Sequence, residues 1–379
     1  MEHVDVIVVG LGVMGSAAAY HCARRGGRTL GIDANPPYHK LGSSHGVRRA
    51  TRETYFEAPD YVPLVQRSFD FWRGLEAESG KTLLTPKGAV YVAPAEHPML
   101  RGVELAARTH GLGFERLSRS QSETRFPGFA VPQGWDVLVE QRGSVLEARS
   151  CLEALATRAR QHGAELRYGQ TVTQWRPGPG GSVIITTADG EIAADSAIVT
   201  VGPCGPGALS DLALPIRAER RVLVNVEPER PETCGEDQAS VFFWATPEGV
   251  FGGFLHRDGE GAMVARHDRG DVCTPESVHR DVTQADHDEA SHFFKTYIPG
   301  AAGPVTKSSV CLYTMTPDNH FIVDRHPGFA RLAYAAGFCG HGFKFAPVIG
   351  ESLADLALDG ATANPIGFLS ADRFKQAAA

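Results

Sequence analysis

The tightest constraint on this chain lies between residues 4 and 33. Val4-Asp5-Val6-Ile7-Val8-Val9 is a largely β-branched run, which reads as a buried strand. It stops at Gly10-Leu11-Gly12-Val13-Met14-Gly15, and an Ala-rich helix follows to about Arg25. A second strand, Thr29-Leu30-Gly31-Ile32-Asp33, ends in an acid 18 residues after Gly15. Strand, G-x-G-x-x-G, helix, strand and acid in this order form a dinucleotide-binding βαβ unit. Gly10 permits the tight turn, Gly12 lets the backbone approach a pyrophosphate, and Gly15 lets helix and strand pack closely. The helix start attracts phosphate charge, and Asp33 is placed to accept from a ribose. The stretch from Val6 to Ala23 has no Asp, Glu, Lys or Arg. The three glycines make it strand, turn and helix rather than a membrane span.

The remaining 346 positions extend the α/β pattern. Helical periodicity marks 61–78, 98–110, 146–162, 284–297 and 346–358. Strand patterns mark 87–93, 164–168, 182–187, 197–201, 221–227, 240–245, 250–254 and 332–337, with Asp189-Gly190 as a hairpin turn. The nucleotide-type elements sit at both ends and in the middle. β-rich blocks intervene at about 83–145 and 218–309. One Rossmann-type domain (1–82, 146–217 and 310–379), interrupted by a β-rich substrate domain (83–145 and 218–309), fits better than two domains in tandem. The expected class is α/β, or α+β overall. The net charge of −7 argues against nucleic-acid binding. Seven cysteines are scattered without a C-x-x-C, so no metal site or disulfide framework is expected. That usage and the non-basic start, Met1-Glu2-His3-Val4, point to the cytoplasm and away from secretion or a membrane.

Two further segments are more specific than the glycine motif. One is Gly42-Ser43-Ser44-His45-Gly46-Val47-Arg48-Arg49-Ala50-Thr51-Arg52-Glu53-Thr54-Tyr55, followed by Tyr61-Val62-Pro63-Leu64. The other runs from Cys311-Leu312-Tyr313-Thr314 through Asp318-Asn319-His320-Phe321-Ile322-Val323-Asp324 to Ala335-Ala336-Gly337-Phe338-Cys339-Gly340-His341-Gly342-Phe343-Lys344-Phe345. Together with the N-terminal motif, these resemble the monomeric sarcosine oxidase and N-methyltryptophan oxidase family over nearly the whole chain. The resemblance implies a D-amino-acid-oxidase-like architecture, a monomer and bound FAD. The implied reaction is oxidation of a secondary or tertiary amine, usually an N-alkyl or cyclic amino acid. A hydride passes to flavin N5, an imine is released, and O2 is reduced to H2O2. Asp33 alone does not separate NAD from FAD. The late return to the nucleotide domain after Gly337 favours FAD, since a helix start there can face the flavin ring.

The resemblance also assigns roles. Cys311 matches the cysteine that carries the flavin through a thioether; read from the residue alone, it is a half-buried free thiol. Arg52 and Lys344 match a carboxylate clamp, a bidentate guanidinium and a point charge. Arg49 is expected against the flavin, with His45 in the same segment. His267 and Tyr313 are expected in the substrate cavity. Gly10, Gly12, Gly15, Asp33, Ser43, Gly340, Gly342 and Lys344 complete the cofactor contacts, with His341 positioning its loop. One departure stands out: the family's oxygen-activating lysine falls on Met263, which carries no charge. Arg49, Arg266 or His267 then substitutes, or the electrons leave a larger biosynthetic substrate for an acceptor other than O2. A flavin-binding subunit without turnover has no use for the clamp residues.

Overall fold

A computed structural model describes residues 1–376. The strand Glu2–Val9 lies between Thr29–Asp33 and Gly190–Val199, parallel to both. Glu165–Tyr168 and Leu332–Ala336 extend the parallel sheet on either side. The antiparallel strands Val172–Pro177, Val183–Thr187 and Ile322–Arg325 complete eight strands. Alternation along Glu2–Val9 separates two cores, as a two-residue strand period requires. Val6 and Val8 face the helices Val13–Arg24, Tyr61–Ser79, Ala148–Gln161 and Ala346–Leu358. Ile7 faces the opposite core with Ile185, Ile192 and Tyr334.

A second, nine-stranded sheet runs in the order 272–273, 217–226, 261–266, 249–257, 241–246, 89–94, 135–140, 115–117, with 305–315 also paired to 217–226. Its strands are antiparallel neighbours except at the junction of 241–246 with 89–94, which is parallel. The helix Gln284–Tyr297 covers one face, burying Phe293 and Phe294 against Phe242, Phe251 and Leu255. That helix starts on a capping box: Thr283 Oγ1 accepts from the Asp286 N–H at 3.3 Å, and the Asp286 carboxylate accepts from the Thr283 N–H at 2.8 Å. The other face carries Tyr91, Phe243, Phe254 and Met263. A small third sheet joins Arg48–Thr51, Ser144–Glu147 and Leu84–Pro86.

The helices 284–297 and 346–358 fall where their periodicity puts them. Strand 217–226 starts before the 221–227 pattern, and 305–315 is a strand that the pattern did not mark; the two pair with each other along nearly their whole length. Strand 305–315 therefore runs across the boundary drawn at 309/310, and its pairing is with the second sheet. Arg48–Thr51 is a strand that no alternation announces, since it joins only a short ladder. Among the described residues, no helix is long and apolar enough to cross a membrane. Also among them, no group of three or more His, Cys, Asp or Glu side chains is placed to hold a metal ion.

Candidate active site

A cavity of about 620 Å³ runs from the Gly10–Met14 turn to Lys344, with the second sheet as one wall. At the first end, Gly10 adopts φ +90°, and a Cβ on Gly15 would stand 1.7 Å from the Gly10 carbonyl oxygen. The helix start therefore lies directly on the turn. Its cap, Gly12, supplies no side chain, and the Val13 N–H donates to Ser44 Oγ at 3.0 Å. Asp33 lines the cavity. Its carboxylate accepts from the N–H groups of Leu11 and Asn35 at 2.7 and 2.8 Å, which leaves lone pairs for hydroxyl donors. An uncapped helix start, a glycine turn and a facing carboxylate fit the pyrophosphate and ribose of a dinucleotide.

The far end is built from side chains. Arg52 is 1% exposed. Its guanidinium carbon lies 4.1 Å from the Tyr55 ring centre, 4.0 Å from Phe56 and 4.9 Å from Phe243. Nη2 donates to both Glu57 oxygens at 2.6 and 2.7 Å, while Nε and Nη1 are buried without a partner. Burial opposes the charge on Arg52, but Glu57 more than offsets it and the pKa is raised. Glu57 is itself pushed up by burial and pulled down more strongly by Arg52, to about 2. Lys344 sits in the turn Phe343–Phe345 just before the helix 346–358. Its Nζ donates to the His341 carbonyl at 2.7 Å and to Tyr55 Oη at 3.4 Å. Burial, and then Arg52, hold its pKa well below that of an ordinary lysine, with Glu57 acting the other way.

His267 Nδ1 and Tyr313 Oη are 3.1 Å apart. Burial lowers the His267 pKa to about 4 and raises that of Tyr313 to about 12, so both are neutral near pH 7. Gly340 is required by this pair: a Cβ there would stand 2.0 Å from Tyr313 Cε2. Gly342 similarly makes room for Phe338, at 2.6 Å. Behind Tyr313, the buried Arg221 stacks on its ring at 4.8 Å and pairs with Glu219 at 2.7 Å. His341 Nδ1 meets Tyr55 Oη at 2.5 Å and its Nε2 meets the Asn319 carbonyl at 3.2 Å, bracing the loop.

Cys311, Ser43, Arg49 and Met263 also line the cavity. Cys311 is buried, burial raises its thiol pKa, and it makes only a weak contact to the Leu312 carbonyl at 3.8 Å. Arg49 donates to the carbonyls of Arg48 at 2.9 Å, Ser43 at 3.0 Å and also His45. Ser43 Oγ donates to the Leu312 carbonyl. Gly15 and His45 are not cavity residues. Gly15 acts by packing, and His45 is half-buried, its pKa lowered to about 4 by burial and then Arg49. Arg266 is also not a cavity residue: it pairs with Asp268 and Glu289 at 3.0 and 2.6 Å. It therefore supplies no charge beside Met263. Sequence reasoning missed Glu57, Phe243 and Arg221. Glu57 follows Arg52 by five residues in irregular chain, with no period to mark the pair.

A deep cavity joining a dinucleotide-type turn to a buried arginine and lysine is the layout of a flavin-dependent oxidoreductase. The chain belongs to the FAD dependent oxidoreductase family, whose model matches residues 5–356. It is 37% identical to a monomeric sarcosine oxidase of Streptomyces avermitilis over 99% of both chains. It is 30% identical to an N-methyl-L-tryptophan oxidase of Salmonella arizonae over 94% of this chain and 95% of that one. Among solved structures, NikD, an unusual amino acid oxidase of nikkomycin biosynthesis, superposes with a TM-score of 0.87 at 25% identity, covering 98% of each chain.

Proposed function

We propose that this protein acts as a monomer that oxidises a carboxylate-bearing secondary or tertiary amine, an N-alkyl or cyclic amino acid. One observation carries the proposal: Arg52 Nε and Nη1 are buried and unpartnered among the described residues, and Lys344 is buried near enough for the Arg52 charge to lower its pKa. A guanidinium in that state is completed by an anionic, bidentate acceptor. Glu57 holds the third nitrogen and fixes the plane. Neutral His267 and Tyr313 hydrogen-bond without adding a charge beside the amine. The clamp at one end and the turn at the other bring substrate carbon and cofactor together, which makes their encounter effectively unimolecular. Bound FAD supplies acceptance of a hydride equivalent from the carbon beside nitrogen, leaving an imine, and delivery of the electrons to O2 as H2O2. Gly10, Gly12, Asp33 and Ser43 would hold its nucleotide half, and Cys311, Arg49, Gly340 and Lys344 its ring, with Cys311 as a thioether anchor.

Met263 in the cavity wall supports a second reading, reoxidation by an acceptor other than O2, because a thioether brings no positive charge. Anaerobic addition of N-methyl amino acids should bleach the flavin absorbance. No bleaching by any of them would overturn the proposal. Readmitted air then separates the two readings: rapid recolouring with peroxide supports the oxidase, and slow recolouring the dehydrogenase. Acid precipitation should leave a yellow pellet, and a colourless one would exclude the thioether. In Cys311→Ser the colour should move to the supernatant.

A further inference from the structure

Two adjacent glycines in the strand Gly249–Arg257 differ in what holds them there. Glycine inside a strand weakens it, and marks a bulge or a close approach by another group. Gly253 has such a cause: a Cβ there would stand 2.0 Å from the Met263 carbonyl oxygen and 2.4 Å from the Phe242 ring. Gly252 has none. Its φ lies outside the left-handed region, and a Cβ there would meet only Phe243 ring atoms at 3.5 Å and the Phe242 carbonyl oxygen at 3.9 Å, ordinary contact distances. A side chain fits at 252, yet the cavity wall carries none.

The sheet register shows what the gap adjoins. Gly252 lies across from Phe243 on one side and Ala265 on the other, and Ala265 lies across from Leu223. The next row is Phe254 across from Met263. All six residues line the cavity. The row is therefore large, small, small, large, which makes a trough floored by Gly252 and Ala265 and banked by Phe243 and Leu223. Every wall is apolar. The Phe243 ring is also a wall of the Arg52 site, 4.9 Å from the guanidinium. A carboxylate on Arg52 thus has an apolar recess beside it.

We infer that this trough receives the side chain of the substrate. The preferred substrate is an N-alkyl amino acid with an apolar side chain of aromatic size, and Gly252 is the residue that sets this preference. The inference rests on the amine-oxidising reading above. In an apolar pocket, each methylene gained or lost is worth about tenfold or more in selectivity. The holoenzyme is expected to show kcat/KM for N-methylphenylalanine at least about tenfold above that for sarcosine. Gly252→Leu fills the trough and should lower that ratio by about tenfold or more, with Ala265→Leu as a second filling variant. Preference for sarcosine in the parent enzyme, or a ratio unmoved in both variants, overturns the inference and leaves the amine chemistry standing. Binding without turnover tests the trough separately. By calorimetry the holoenzyme should bind phenylacetate more tightly than acetate, and Gly252→Leu should erase the difference. If no amine bleaches the flavin, the functional reading fails, and this comparison alone decides the trough: equal binding of the two carboxylates overturns it.

Discussion

At the Gly10–Met14 end of the cavity the wall is backbone, brought close by the absence of side chains. A Cβ on Gly15 would overlap the Gly10 carbonyl at 1.7 Å, and polar groups there are joined by local hydrogen bonds. At the Arg52–Lys344 end the wall is side chain, and buried polar atoms are left open. Steric fit holds the first end, and charge held out of water holds the second. A change at the first end should therefore be felt by the fold, and a change at the second by the ligand.

Arg52→Gln should give the largest effect. Truncating one partner of a buried charge pair costs roughly 2–5 kcal/mol, so kcat/KM for an amino-acid substrate should fall at least about 30-fold. Flavin content, read from the ratio of visible to protein absorbance, should be retained. Equal loss of flavin and turnover would blur the contrast between the ends. Gly15→Ala reverses the pattern. The added carbon meets backbone, and overpacking of this kind costs about 3 kcal/mol. The melting temperature and flavin content should fall together, whereas residual loaded enzyme keeps its KM. A well-folded, fully loaded Gly15→Ala enzyme would break the steric half of the comparison.

Two buried histidines give a smaller, pH-dependent effect. Burial lowers His21 to about 4 and His341 to about 3. Both folded values lie below that of a free histidine, about 6.5. Below pH 6.5 the unfolded chain binds the extra protons. The stability contributed by the neutral histidines is complete above 6.5 and falls as pH drops. The slope is about 1.4 kcal/mol per pH unit for each, down to the folded pKa. Melting measured from pH 7 to 4.5 should show it, and His341→Asn should flatten the slope. The smallest effect is proton uptake. Lys344 has a depressed pKa in the open site. A bound carboxylate favours its charged form, so binding should be accompanied by proton uptake. Calorimetry in buffers of different ionisation enthalpy measures this, and Lys344→Met should abolish it.

The same difference decided what could be read in the sequence. Gly10, Gly12, Gly15 and Asp33 lie within 24 residues, so strand, turn and helix periods locate them without tertiary information. Arg52, His267, Tyr313 and Lys344 meet only after long connections. Family likeness, and not spacing, brought them forward as candidates. Glu57 carried no local signal because it meets Arg52 across irregular chain with no period, and Arg221 because its place is set by the distant Tyr313 ring. Gly252 looked like any strand glycine until its neighbours were known. The 305–315 strand ran past its expected boundary for the same reason, since its length is set by the strand it pairs with.

That strand has a mechanical consequence. Cys311 and Tyr313 lie on a strand of the nine-stranded sheet, while Gly10 and Gly12 lie in the turn that follows a strand of the eight-stranded one. The two sheets share no strand and no ladder hydrogen bond. A long molecule gripped at both ends of the cavity is a tie-rod between them, resisting shear that hydrogen bonding within each sheet does not oppose. Loading the cavity should then stiffen the protein between its sheets more than within either one.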